Sequence, residues 1–296
     1  MTAAPHATAT ALRIATFNIR NGIAVDGFDS WPFRRRATAR AIARLDADLI
    51  GLQEVYGFQQ RYLLHLLPGF AATGAGRTDG RHRGERCTVL YRRARLILDG
   101  SATRWFSDTP DLPGSTGWGN RLPRIVTIAR FTDAEHGRSF VFANCHLEGW
   151  PPIARHRSAA ALATWLDHDL PAIVAGDLNA EPDDPTVRTL LDSGLRDVFA
   201  AQRTPNQESP RLRDSEANSL PAIETDRGAR TASVDAAPPT TTGGFHGRAE
   251  RRRIDYLLVT REWEVEEAAV AAFRRHRRLP SDHLPVTATL RLPGGQ

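Results

Sequence analysis

Apolar residues fall in short runs separated by polar and glycine-rich stretches, and the run lengths predict many strands and few helices. Over 12–18, LRIATFN alternates apolar and polar positions with the period of a strand. Runs at 48–55 (DLIGLQEV), 139–146 (SFVFANCH), 173–175 (IVA) and 253–259 (RIDYLLV) read as buried strands of an α/β sheet. Further strands are expected over 86–91, 96–106, 125–131 and 286–292, with an edge strand over 262–273. Helical spacing of Ala37, Ala41, Ile42 and Leu45 predicts a helix over 31–45, its arginines turned to solvent. A second helix is expected through Tyr62 and Leu66. A third starts at Pro151-Pro152 and runs through Trp165. A fourth opens at Asp184-Pro185 and stops at Gly194, a C′ position. Residues 77–85 form a glycine-rich, charged loop. Over 204–239 the composition shifts to Pro, Ser, Asp, Glu and Thr, which reads as a disordered insertion or long surface loop. Residues 1–10 read as a disordered leader, and no internal repeat is visible.

Alternating strands and helices imply an α/β fold, and such folds place their chemistry where strands end. The strand ends here carry Asn18, Glu54, His146, Asp177, Asn179, Asp255, Asp282 and His283. In AIVAGDLNAEP (172–182) the apolar run stops at Gly176, and Asp177 and Asn179 follow two residues apart, so an extended backbone would face both into one cleft. Taken singly, each is an ordinary turn former or a structural histidine; together they form a donor set. Carboxylate and amide oxygens suit Mg²⁺ or Mn²⁺ rather than zinc. The histidines remain for proton transfer or for bonding an oxyanion. Phosphoester hydrolysis needs this combination.

Charge changes the picture little. There are 39 basic and 34 acidic residues, a formal net charge of +5, and every basic residue is arginine. A positive balance suggests a polyanionic partner. Absence of lysine with abundant alanine instead suggests coding bias in a GC-rich genome, so nucleic acid is not favoured. Arginine clusters at 34–36, 251–253 and 274–278 read as solvated faces. Cys87 and Cys145 show no CxxC or zinc spacing, and a reduced, cytoplasmic protein is expected, with a disulfide between them left open. No run is apolar enough to span a bilayer, and no secretory signal is visible.

The segments TFNIR, LQEV, NCHLE, GDLNAEP, RIDYLLV and SDHLPV resemble, in order, the motifs of the endonuclease/exonuclease/phosphatase superfamily with its DNase I-like fold. DGFDSW, GAGRTDGRHRGE, GWGNRLPRI and FHG resemble a bacterial branch of it. The resemblance implies a four-layer α/β sandwich, two mixed β-sheets packed face to face with helices outside, forming one domain over 11–296. It implies Glu54 as main ligand of Mg²⁺ (or Mn²⁺), with Asn18 and Asp282 nearby. Asp177 would position or deprotonate the attacking water, and Asn179 would donate to the phosphate. His283 would hold a phosphoryl oxygen, with Asp255 fixing its tautomer. His146 would donate to the phosphate or leaving oxygen, oriented by Glu85. Arg124 would contact phosphate, with an exposed strand-start charge as the competing reading. Apurinic endonucleases of the superfamily carry tyrosine where this chain has His146. The expected activity is hydrolysis of a phosphate mono- or diester by in-line water attack, on a small or soluble substrate, by a monomer. Loops 77–85 and 115–124 would close over the pocket. An endo- or exonuclease is the alternative, and an inactive binding module is disfavoured because no key motif residue is missing.

Overall fold

A computed structural model describes residues 11–166, 169–202, 239–246, 251–273 and 279–292. The expected leader (1–10), nearly all of the expected insertion (204–238) and the arginine run 274–278 lie outside the described residues. The strands are β1 (Leu12–Asn18), β2 (Leu49–Val55), β3 (Phe70–Thr73), β4 (Arg86–Arg92), β5 (Leu96–Trp105) and β6 (Ile125–Asp133). They continue with β7 (Ser139–His146), β8 (Ala172–Asp177), β9 (Arg196–Asp197), β10 (Asp255–Val259), β11 (Glu264–Val270) and β12 (Val286–Arg291). The helices are α1 (Trp31–Leu45), α2 (Gly57–Leu66), α3 (Pro152–Trp165), α4 (Pro185–Asp192) and the single turn α5 (Val198–Ala201). Every strand and longer helix read from the sequence is present. The short strands β3 and β9 were not expected: Phe70–Thr73 is four residues long and half-buried, too short to show a period.

The strands form two six-stranded mixed sheets, ordered β11-β12-β1-β2-β4-β3 and β5-β6-β7-β8-β10-β9. Among the described strands, β1/β2 and β7/β8 pair in parallel. Inward positions repeat every second residue and pack the sheets on each other: Leu12, Ile14 and Leu49 from the first meet Phe140, Phe142, Ile173, Ala175, Leu257 and Val259 from the second. The alternate residues face outward. Ala15, Phe17, Ile50 and Leu52 lie under Trp31, Ile42 and Leu63 of α1 and α2. Val141, Ala143 and Val174 lie under Ala159, Leu162 and Leu190 of α3 and α4. The result is the expected four-layer α/β sandwich.

Along the inner face the side chains change character towards the carboxyl ends of the parallel pairs. In β1 the sequence of inward residues is Leu12, Ile14, Thr16, Asn18; in β7 it is Phe140, Phe142, Asn144, His146. The apolar part makes the core. The polar remainder collects at one end of the sandwich, where the site lies.

Candidate active site

Register builds one half of the site. Asp177 stands opposite His146 in β7 and opposite Asp255 in β10, so three neighbouring strands present three inward side chains in one row. The other half comes from the first sheet, where Asn18 stands opposite Gln53. The β2–β4 pairing loses register between Leu52 and Val55, and Glu54 adopts a φ of 61°. A bulky residue in the left-handed region is strained, and such strain persists where surrounding bonds hold it. Here Glu54 Oε2 accepts from the Asn21 N–H at 2.8 Å and from Asn21 Nδ2 at 3.2 Å. Its Oε1 accepts from Asn18 Nδ2 at 3.0 Å.

Asn18 joins the two sheets. Its Nδ2 also donates to Asp177 Oδ2, again at 3.0 Å. Its Oδ1 accepts the Arg20 N–H at 2.9 Å, which fixes the amide so that the nitrogen faces both carboxylates. In this arrangement the Asn18 amide nitrogen clamps two carboxylates, one from each sheet. Asp282 lies nearby, with Arg20 Nη1 3.8 Å from its Oδ2 and the Ser281 hydroxyl donating to its Oδ1 at 3.1 Å.

His283 Nδ1 pairs with Asp255 Oδ2 at 2.9 Å, and its Nε2 faces Asp177 Oδ2 at 3.8 Å. Burial opposes charge on this ring. The Asp255 carboxylate, through charge and hydrogen bond, with Asp177 and Asp282 behind it, overcomes burial and raises His283 to about 10. The ring is therefore an imidazolium at neutral pH, with Nε2–H free of Asp255. His146 Nε2 lies 3.6 Å from the same Asp177 oxygen, yet burial and the charge of Arg124 push it down to about 4, so it is neutral. Burial and then Asp255 push Asp177 upward, against His146, His283 and Asn18. Burial would also raise Glu54, but His146, charged in the acid range where Glu54 titrates, and the Asn18 and Asn21 donors outweigh it and hold Glu54 at about 2. One ligand atom each from Asp177, Asp255 and His283 lies within 4.8 Å of the others.

Three expectations need correction. Asn179 does not continue an extended backbone from Asp177: its φ is 50°, its N–H caps Asp177 Oδ1 at 2.9 Å, and its Nδ2 donates to the Leu147 carbonyl at 3.0 Å. It stays beside the cleft, with one amide proton already engaged. Glu85 does not orient His146; it pairs with Arg77 at 2.8 Å. Arg124 is not an exposed strand-start charge, since it is largely buried and pairs with Glu148 at 3.1 Å. Glu54, Arg77, Glu85, Arg124 and His146 nevertheless line one recess.

Some supporting residues were invisible in the sequence. Beneath the charged row lies an amide layer, in which Gln53 Nε2 donates to Thr16 Oγ1 at 2.9 Å and to Asn144 Oδ1 at 2.7 Å across the sheets. Gly51 was the available signal: a Cβ there would meet Asn144 Oδ1 at 2.8 Å, the close approach that a glycine inside a strand often marks. Arg34 was read as solvent-facing but is 5 % exposed. It donates to the carbonyls of Asp29, Ile19 and Arg20 at 2.9, 2.5 and 2.7 Å, tying down the loop after β1. Arg253, in the second arginine cluster, is buried and pairs with Asp197. Thr241 Oγ1 accepts the N–H groups of Ile254 and Asp255, and its carbonyl accepts that of Leu284, so it braces the His283–Asp255 pair from both sides.

The model of the endonuclease/exonuclease/phosphatase family matches residues 15–283. An endonuclease/exonuclease/phosphatase of Bacteroides vulgatus superposes with a TM-score of 0.81 and 27 % identity, covering 96 % of this chain and all of its own. A mannosyl-6-phosphatase of Bacteroides thetaiotaomicron gives a TM-score of 0.77 at 26 % identity over 95 % of this chain and 99 % of its own. A protein of Acanthamoeba polyphaga mimivirus is 28 % identical over 162 residues, 51 % of this chain. The chain spans 60 % or less of the length of the curated relatives it matches.

Proposed function

This chain belongs to the endonuclease/exonuclease/phosphatase family, and from that premise we propose that it hydrolyses a phosphoester by in-line attack of water with help from a divalent metal. The observation that carries the reading is Asp177: a buried carboxylate whose Oδ2 takes the Asn18 amide and faces the His283 and His146 rings at 3.8 and 3.6 Å.

The donor set fits a hard cation. Glu54 is held ionised, and two buried oxygens of the site, Asn21 Oδ1 and Asp255 Oδ1, have no hydrogen-bond partner among the described residues. Glu54 and Asp282 would hold Mg²⁺ or Mn²⁺, with Asn18 keeping Glu54 in place. Such an ion, when bound, polarises a phosphoryl oxygen and offsets developing charge. The protein's own groups do the remainder. Asp177, raised in basicity by burial and by Asp255, orients the attacking water and accepts its proton. His283, kept charged by Asp255, donates from Nε2 to a phosphoryl oxygen, a bond that strengthens as charge builds there. His146, neutral, donates towards the leaving oxygen, and the free amide proton of Asn179 reaches the phosphate. Transfer to water is direct, without a covalent enzyme intermediate.

A small, soluble substrate is favoured over duplex nucleic acid. Arg34 and Arg253 are committed to carbonyls and to Asp197, which removes the core of two of the three arginine clusters from any phosphate track. The likeness to a mannosyl-6-phosphatase supports a phosphosugar class of substrate. Nuclease activity is the second reading, supported by the net positive charge. The test is a panel of sugar phosphates, nucleotides, phosphodiesters, single strands and plasmid with Mg²⁺ and Mn²⁺. Turnover of a monoester, abolished by chelator, is expected; turnover of plasmid alone would promote the nuclease reading.

A further inference from the structure

Arg20 closes the segment TFNIR and Asp26 opens the segment DGFDSW, and neither charge takes part in the hydrolytic step above. The two side chains form a bidentate pair: Arg20 Nε donates to Asp26 Oδ2 at 3.1 Å, and Arg20 Nη2 donates to Asp26 Oδ1 at 2.9 Å. The remaining nitrogen, Nη1, lies 3.8 Å from Oδ2 of Asp282. We infer that Arg20, clamped by Asp26, is a positioning residue that orients Asp282 and weakens its hold on the divalent cation. The inference rests on the metal-assisted reading above and adds what tunes the cation at that site.

Backbone geometry aims the guanidinium. Arg20 has a φ of 56°, a left-handed conformation that a long side chain adopts when its neighbours impose it. Its N–H donates to Asn18 Oδ1 at 2.9 Å, and its carbonyl accepts from Arg34 Nη2 at 2.7 Å and from Gln59 Nε2 at 3.1 Å. The clamp is held as firmly. The Asp26 N–H donates to Ser30 Oγ at 3.0 Å, and the Asp26 carbonyl accepts the Asp29 N–H at 3.0 Å. Arg34 already ties down the loop after β1 through the carbonyls of Ile19, Arg20 and Asp29, so the loop has an anchor without the Arg20–Asp26 pair. The Arg20 side chain is also 33 % exposed, and ion pairs in such places add little to stability. What the pair does distinctively is fix where Nη1 points.

Charge then decides what the third nitrogen does. A separation of 3.8 Å is too long for a hydrogen bond and short enough for strong attraction. Asp282 Oδ2 is thus turned towards Arg20 while its lone pairs stay open to another partner, and Oδ1 accepts from the Ser281 hydroxyl at 3.1 Å. Hydrogen bonding to Asp26, with the charges of Asp282 and Glu54 behind it, keeps the guanidinium protonated against partial burial. Arg20 is therefore a built-in counter-ion to the two carboxylates that would hold Mg²⁺ or Mn²⁺. A cation entering there meets a fixed positive charge beside one of its ligands, and that repulsion lowers affinity. Asp26 moderates the effect, because its carboxylate offsets the arginine's charge and keeps Nη1 from closing onto Asp282. Arg20 and Asp26 act on cation binding with opposite sign, which a merely structural ion pair would not do.

The test measures Mn²⁺ binding to the substrate-free full chain, by isothermal titration calorimetry and by the paramagnetic resonance of free Mn²⁺, and then kcat and KM on an ester from the panel above. Arg20→Gln should bind Mn²⁺ about tenfold more tightly than wild type, because the repelling charge is gone while Ser281 still holds Asp282. Asp26→Asn should bind it about tenfold more weakly. Both should lower kcat at saturating Mn²⁺ by about tenfold with KM little changed, since Asp282 loses its orientation in each. Arg20→Lys keeps the charge without the two-nitrogen clamp, so its Mn²⁺ affinity should stay within about threefold of wild type; with Asp26→Asn it carries the test if Arg20→Gln does not fold. Weaker binding in both Arg20→Gln and Asp26→Asn, as loosening of the loop would give, overturns the inference. So does unchanged Mn²⁺ affinity with a raised KM, which would make Arg20 a contact to the substrate phosphate. Either result leaves the hydrolase reading intact, whereas a wild type that binds no divalent cation removes the metal-assisted reading and this inference with it.

Discussion

Replacing Asn18 tests whether one amide holds the two halves of the site together. Asn18→Ala removes two hydrogen bonds to carboxylates, at 3.0 Å each. Bonds to charged groups are worth about 1.5–3 kcal/mol apiece. Glu54 keeps its Asn21 donors and Asp177 its Asn179 N–H, so the lower end, about 3 kcal/mol, is the reasonable figure for the pair. At about 2–4 °C per kcal/mol for a large domain, the melting temperature in chelator should fall by roughly 6–12 °C. Asn18→Asp should fall further at neutral pH, because like charges at 4 Å repel by about 4 kcal/mol at an effective dielectric constant of 20. Its sign with pH is fixed. Those neighbours raise the introduced carboxyl's pKa above its unfolded value, so stability relative to wild type is regained below that unfolded value and lost as pH rises. A divalent cation should also restore more stability to Asn18→Asp than to wild type. The assay is thermal unfolding by circular dichroism, in chelator and in Mg²⁺, from pH 4 to pH 8. If both variants melted within a degree or two of wild type in chelator, the clamp role would be refuted.

Glu54→Gln should lose most turnover and metal affinity while remaining folded; full activity of this variant, or of wild type in excess chelator, would remove the metal assignment. His283→Ala should lower kcat about a hundredfold or more with little change in KM, and Asp255→Asn should do the same more weakly; a pure KM effect would make the histidine a ground-state binder. Excising 204–238 with a short Gly/Ser bridge should leave the melting temperature nearly unchanged, provided the bridge lets Thr241 reach Asp255; a drop of many degrees would show that the segment packs. Between low and physiological salt, kcat/KM should change little, whereas a slope of several released counterions would indicate a nucleic-acid substrate.

The strands and longer helices were legible because they rest on local period, and the sandwich because its motifs survive without knowledge of contacts. What stayed hidden depends on partners far along the chain. Arg34 looks solvated among Arg35 and Arg36, but one of its acceptors, the Pro280 carbonyl, lies 246 positions away. Gln53 and Asn144 each looked like one more polar residue near a strand end, and only sheet-on-sheet packing shows them bonded across the interface. Alternation also fails where the backbone leaves the β region. Glu54 and Asn179 both turn left-handed, so counting by twos misplaces the residues that follow. Glu85 was read against the wrong partner because a loop's path cannot be inferred from the spacing of its charges.

Among the described residues the first strand pairs on one side with the last: β1 lies between β12 and β2, with Thr16 opposite Val286. During synthesis on the ribosome, one edge of β1 therefore stays open until residues 286–291 have emerged, and His283 emerges only just before them. A nascent or prematurely terminated chain carries Asn18, Glu54 and Asp177 with one edge of β1 still open, the kind of edge that seeds aggregation. A chain stopped before residue 283 would also lack the His283–Asp255 pair, so the partner of β1 and that half of the charged row arrive together.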